Sequence, residues 1–95
     1  MPIALLTLHL QLPGCSSLKE KRSRIRPILV RLHREFNVSS AEMDHLDHWH
    51  EAVLVCALVG NDASQCQRAL QTVLQFTQNQ FGDEEVFDHR IEIIP

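Results

Sequence analysis

An α+β fold with the element order β-α-β-β-α-β is predicted by three features of the chain. Residues 3–12, IALLTLHLQL, alternate with period two, and their even positions form one strongly apolar side. Two segments, opening at Ser17 and at Asn61-Asp62, repeat their apolar residues at helical spacing. Between them, residues 52–60, AVLVCALVG, are apolar on both faces. That pattern implies a central strand, or a sheet face covered by another subunit.

The elements follow in order. Pro13-Gly14 ends the first strand. Ser17 and Glu20 form an S-x-x-E capping box that starts the first helix. Leu18, Ile25, Ile28, Leu29, Leu32 and Phe36 form its buried stripe, which continues in phase across Pro27 and predicts one bent helix with Asn37 as C-cap. Residues 38–44, VSSAEMD, read as a modest strand, and a polar connection through His45–His50 leads to the apolar strand. Asp62 and Gln65 cap the second helix, Cys66, Leu70, Val73, Leu74 and Thr77 trace its inner face, and Gly82 ends it. After the acidic D-E-E turn, residues 86–94, VFDHRIEII, form the last strand.

This string is the split-βαβ, ferredoxin-like arrangement: a four-stranded antiparallel sheet with two helices on one face. Its strand order, 4-1-3-2, places the two most apolar strands in the centre. The expectation is one domain over residues 1–95, with no linker or low-complexity segment. No apolar run reaches the roughly 20 residues a membrane span needs. Met1–Leu12 has no basic flank of the signal-peptide kind, so a cytoplasmic location without membrane partners is expected.

Charge is distributed unevenly. The chain carries −3 overall, yet residues 17–36 hold seven of its nine Lys and Arg against two acidic residues, a local +5. Lys19, Lys21 and Arg22 stand in the opening turns of the helix, where the dipole disfavours cations by about 0.3–1 kcal/mol each. A phosphate or carboxylate held by the helix-start amides and these side chains would remove the conflict. The candidate anion or RNA contacts are Ser17, Lys19, Lys21, Arg22, Arg24, Arg26, Arg31 and Arg34. The bland reading is a solvated face balanced by acidic surface elsewhere. Strands one and three carry no aromatic residue, so an RNA ligand is expected to be met through its backbone and not by base stacking on the sheet.

The segment DHLDHWHE, residues 44–51, groups three His with three carboxylates. His48 and His50 would share one side of an extended chain and are the metal candidates. Closed metal sites usually draw ligands from separated segments, so a polar hairpin with Trp49 anchored against the sheet is expected instead, with no metal and no cofactor. Cys56 and Cys66 fall on apolar patterns and read as core residues. Cys15 precedes a helix start, where a thiolate is favoured, and is weighed as a loop filler against a nucleophile. No catalytic motif is present, and catalysis is not expected.

The blocks S-L-K-E-K-R at 17–22, R-E-F-N-V-S at 34–39, A-E-M-D-H at 41–45, D-x-W at 47–49 and N-D at 61–62 resemble the YlxP-like family, bacterial proteins classed as domain of unknown function 503. Ser17, Leu18, Lys19, Lys21 and Arg22 match its signature, as do Glu42, Asp44, Asp47 and Trp49. His48, His50 and Pro27 depart from it. The resemblance implies a ferredoxin-like fold and a gene neighbourhood rich in translation and ribosome-maturation factors. It brings no catalytic residues with it.

The expected function is therefore a non-enzymatic module that binds RNA or a ribosome-associated protein through the basic helix. Two alternatives stand beside it. One is a small-anion site, or a weak hydrolase, at the helix start. The other is a structural homodimer formed through the open sheet face that carries Val53, Val55, Ala57 and Val59.

Overall fold

Strand β1 (Ile3–Gln11) lies at the heart of a four-stranded antiparallel sheet, ordered β2-β3-β1-β4. The computed structural model describes residues 2–43, 48–81 and 85–94. The other elements are α1 (Leu18–Glu35), β2 (Ser39–Met43), β3 (Glu51–Val59), α2 (Ala63–Gln80) and β4 (Glu85–Ile94). This is the ferredoxin-like β-α-β-β-α-β arrangement with the predicted strand order.

The alternation in β1 does what its pattern requires. Ala4, Leu6, Leu8 and Leu10 are fully buried beneath the helices, and Leu12 continues that side just past the strand. β3 contributes Ala52, Leu54 and Cys56 to the same layer, held by a register that sets Leu6 opposite Cys56 and Leu8 opposite Leu54. Ile25, Ile28 and Leu32 of α1 and Cys66, Leu70, Val73 and Leu74 of α2 close the core from above. Phe36, Phe76 and Phe81 extend it in edge-to-face contacts with centroids 5.2 and 6.3 Å apart. β4 pairs with β1 through an irregularity between His9 and Leu10, where Phe87 is the extra residue.

β1, β3 and β4 differ from the sequence reading by one residue at their ends, and the ends of α1, α2 and β2 stand as follows. α1 ends with Phe36 as C-cap, its N–H bonded to the Leu32 carbonyl at 3.1 Å, so Asn37 lies beyond the cap. α2 ends at Gln80 with Phe81 as C-cap, and the proposed terminator Gly82 lies outside the described residues. β2 begins at Ser39 and not at Val38, and Asp44 at its other end lies outside the described residues. Pro27 stays within one continuous helix because it sits on the exposed side, where losing its bond to the Ser23 carbonyl leaves that oxygen close to water.

Two glycines matter for distinct reasons. Gly14 has φ +74°, the left-handed conformation its turn requires. Gly60 lies where β3 hands over to α2, and a Cβ there would stand 2.5 Å from the buried Sγ of Cys66. Gly60→Ala is therefore expected to cost about 1–3 kcal/mol in urea unfolding. Adding Cys66→Ala vacates the colliding volume, so the double variant should lose less than the two single losses together.

Candidate functional site: the exposed face of helix α1

The start of α1 is closed by its own side chains. Ser17 Oγ accepts a hydrogen bond from the Glu20 N–H at 3.0 Å, and Glu20 Oε2 accepts one from the Ser16 N–H at 2.6 Å. The carboxylate of Glu20 thus brings a negative charge of the chain's own to the helix start, where an external anion was foreseen. Its bond from the Ser16 backbone, with the Cys15 side chain second, holds the Glu20 carboxyl below the usual range. Cys15 is buried in the core with its Sγ 3.5 Å from the Ser17 carbonyl, which makes it a packing residue. Burial pushes the Cys56 thiol up to about 11.

The three cations at the helix start do not converge. Lys21 is only 1% exposed, and its ammonium lies 2.9 Å from Glu42 Oε2 on β2. The approach is close but off the direction of a hydrogen bond, so Coulomb attraction is the main component of this contact. Lys21 was expected among the anion or RNA contacts at the helix start, and the structure turns it inward instead. The reason is its place on the wheel: positions 18, 21, 25, 28 and 32 follow one 3-4-3-4 spacing, so Lys21 belongs to the inner stripe. That spacing was a readable signal. Glu42 gave none, because the pairing joins residues from different elements. A second link runs from His33 Nε2 to the Ser40 carbonyl, 3.1 Å away.

Two further predicted contacts are engaged within the protein. Arg24 donates from Nη1 to the Pro13 carbonyl at 2.8 Å, tying α1 to the loop after β1. Arg31 lies 3.6 Å from Glu35 and 5.3 Å above the Phe76 ring, so it packs along the helix layer. Ser17 serves as the helix cap.

Lys19, Arg22, Arg26 and Arg34 remain exposed, and among the described residues none of the four has an ion pair or side-chain hydrogen bond. At 100° per residue they fall within an arc of about 120°, spread over about 22 Å of helix axis. Arg22 and Arg26, one turn apart, border two adjoining hollows. The larger, of about 530 Å³, also touches Ser23, Pro27 and Val30. The smaller, of about 170 Å³, reaches Ile25, Leu29 and Glu42.

The histidine segment is set apart from this face. His48, Trp49, His50 and Glu51 line an open hollow of about 440 Å³, and the His50 carbonyl accepts from the Leu12 N–H at 2.8 Å. Trp49 is 46% exposed, which corrects the expectation that it anchors against the sheet. Among the described residues no group of three His, Cys, Asp or Glu side chains could hold a metal ion. Asp44, His45 and Asp47 lie outside the described residues. Among the described residues no helix is long and apolar enough to cross a membrane.

The inward ion pair predicts an asymmetric mutational response. Glu42→Ala leaves the Lys21 charge in the core without this partner and should cost about 3 kcal/mol, whereas Lys21→Met fills the same volume and should cost less. The double variant K21M/E42L should recover most of the loss, as read by urea unfolding. The Glu20 cap predicts a pH effect. A carboxyl depressed in the folded state contributes stability that is complete above its unfolded value. That stability disappears as pH falls through the depressed value. Glu20→Gln should flatten this part of the acid-unfolding curve.

A comparison with known families matches residues 3–91 to the family described as "Protein of unknown function (DUF503)". The Bacillus subtilis (strain 168) protein described as "Uncharacterized protein YlxP" is 40% identical over 60 residues, which cover 63% of this chain and 65% of that relative. Among solved structures, the "De novo designed protein Foldit4" superposes over all of this chain and 98% of its own, with a TM-score of 0.56 and 13% identity, a likeness of fold alone. With the family's match running from the first strand into the last, the chain belongs to the DUF503 family.

Proposed function

We propose that this protein associates with RNA by laying the exposed face of α1 along the phosphate backbone. Lys19, Arg22 and Arg26 make the principal contacts and Arg34 extends them. The observation that carries this reading is the set of four exposed cations on one arc, without ion pairs among the described residues, in a chain whose net charge is −3. Guanidinium groups one turn apart suit bidentate contact with successive phosphates. Residues outside 17–36 are strongly acidic, which orients the molecule so that this face approaches a polyanion first. A ribosome-associated setting is the finer form of the same proposal, since ribosomal RNA offers the defined backbone surfaces this mode reads.

Base stacking on the sheet has little support: β1 and β3 carry no Phe, Tyr or Trp. The small-anion alternative at the helix start is weakened because Ser17 and Glu20 already serve the Glu20 and Ser16 amides.

The test is retention on ribosomal RNA and co-sedimentation with ribosomal particles across a salt series. Wild-type protein should be retained at low salt, with log K falling on log [salt] at a slope of about −2 to −3 for three or four phosphates. The triple variant K19A/R22A/R26A should lose retention while keeping its unfolding curve, and Arg68→Ala on α2 should change nothing. No retention at low salt, or equal retention of the triple variant, would overturn the proposal.

A further inference from the structure

The side of the sheet turned away from the helices carries apolar residues on all four strands, interspersed with polar ones. Its two central strands present Ile3, Leu5, Thr7, His9 and Gln11 on β1 and Glu51, Val53, Val55, Ala57 and Val59 on β3, with Val53 already buried. On the flanking strands Met43, Phe87 and Ile94 are 51%, 51% and 43% exposed, and Val59 is 57% exposed. Phe87 is placed on this side by its ring contact with His9, at 6.0 Å between centroids. Exposed large side chains gathered on one flat surface are unusual for an isolated chain. Among the β4 charges here, Arg90 and Glu92 pair with each other at 3.2 Å and Asp88 accepts from the His89 N–H at 2.9 Å, while Glu85 stands at the acidic end.

We propose that this face is covered by a second copy of the same chain, in a two-fold dimer whose axis runs along the strands between β1 and β3. Area supports that occupant. With strands about 4.8 Å apart and residues about 3.3 Å long, the face measures roughly 500 Å². Two copies bury roughly 1,000 Å² before side-chain relief is added, the size at which specific interfaces begin. The association is therefore reversible and concentration-dependent.

The sheet register selects the axis. One end of the face carries Ile3, Val59 and Ile94, while the other carries Gln11, Glu51 and Glu85. An axis perpendicular to the strands would lay each acidic end over the partner's apolar end. An axis along the strands keeps like ends together and exchanges the columns, so that β1 covers the partner's β3 and β4 covers the partner's β2. Leu5 then meets the small Ala57 of the partner, and Met43 comes level with the partner's Asp88 and the adjacent Phe87, which brings a thioether to an aromatic ring. Glu51 faces the partner's neutral Gln11. The two α1 faces point outward on opposite sides of a four-layer sandwich.

Sedimentation equilibrium of the full chain tests the proposal. The weight-average mass should climb with concentration from 10.9 kDa toward twice that value. Ala57→Glu should hold the monomer mass while far-ultraviolet circular dichroism is unchanged. The arrangement is tested by oxidising a mixture of Met43→Cys and Phe87→Cys chains. The mixture should form a cross-linked pair that neither variant forms alone, and Cys15, Cys56 and Cys66 are too buried to interfere. A mass that stays at 10.9 kDa into the millimolar range overturns the dimer. Met43→Cys chains that cross-link to each other overturn the axis. Wild-type chain that stays at 10.9 kDa while Ala57→Glu loses RNA retention would overturn the dimer and move the RNA contact to the sheet.

Discussion

The Lys21–Glu42 ion pair is the constraint on which the arrangement of α1 depends. A lysine within the inner stripe must bring its charge to a carboxylate or leave it desolvated. The nearest solution is a glutamate on β2, an edge strand only five residues long. The pair therefore fixes two things together: the rotation of α1 about its axis and the position of β2 against it. His33 and the Ser40 carbonyl add a second point of attachment further along both elements. Replacing the pair with apolar residues would hold the layers together equally well. It would not specify which turn of the helix meets which residue of the strand.

This rotation determines which cations reach the surface. With Lys21 inward, Arg24 and Arg31 fall to the sides, where a loop carbonyl and a phenylalanine ring engage them. Lys19, Arg22, Arg26 and Arg34 remain on the outer arc. The basic segment thus divides into a part that builds the domain and a part that faces outward. The dipole conflict at the helix start is likewise smaller than the sequence suggests: Glu20 supplies a negative charge there, and Lys21 is neutralised from β2.

Much of the fold was legible because it rests on local periodicity. The alternation in β1 and the apolar run of β3 marked the central strands, and Ser17 and Asp62 marked the helix starts, each accepting the bonds its position predicts. The site was only partly legible. A helical wheel separates inner from outer positions, and the 3-4-3-4 spacing sets Lys21 inside although its charge groups it with the candidate anion contacts. The partners of Lys21, Arg24 and Arg31 are a glutamate, a carbonyl and a ring in other elements, and no local pattern connects them. Two of the blocks that carry the family resemblance, S-L-K-E-K-R and A-E-M-D-H, meet physically at this ion pair through Lys21 and Glu42. Part of the signature is accounted for by architecture without invoking a ligand.

Pro27 gives this arrangement a further property. A proline in mid-helix costs about 3 kcal/mol relative to alanine, so residues 17–36 are poor candidates for a helix in isolation. α1 persists because Ile25, Ile28 and Leu32 are held by the core. A nascent, proteolysed or partly unfolded chain carries the same basic residues but not the common arc that gathers four of them. The outward charge pattern is thus a property of the completed fold, and its geometry reports whether the core beneath it has assembled.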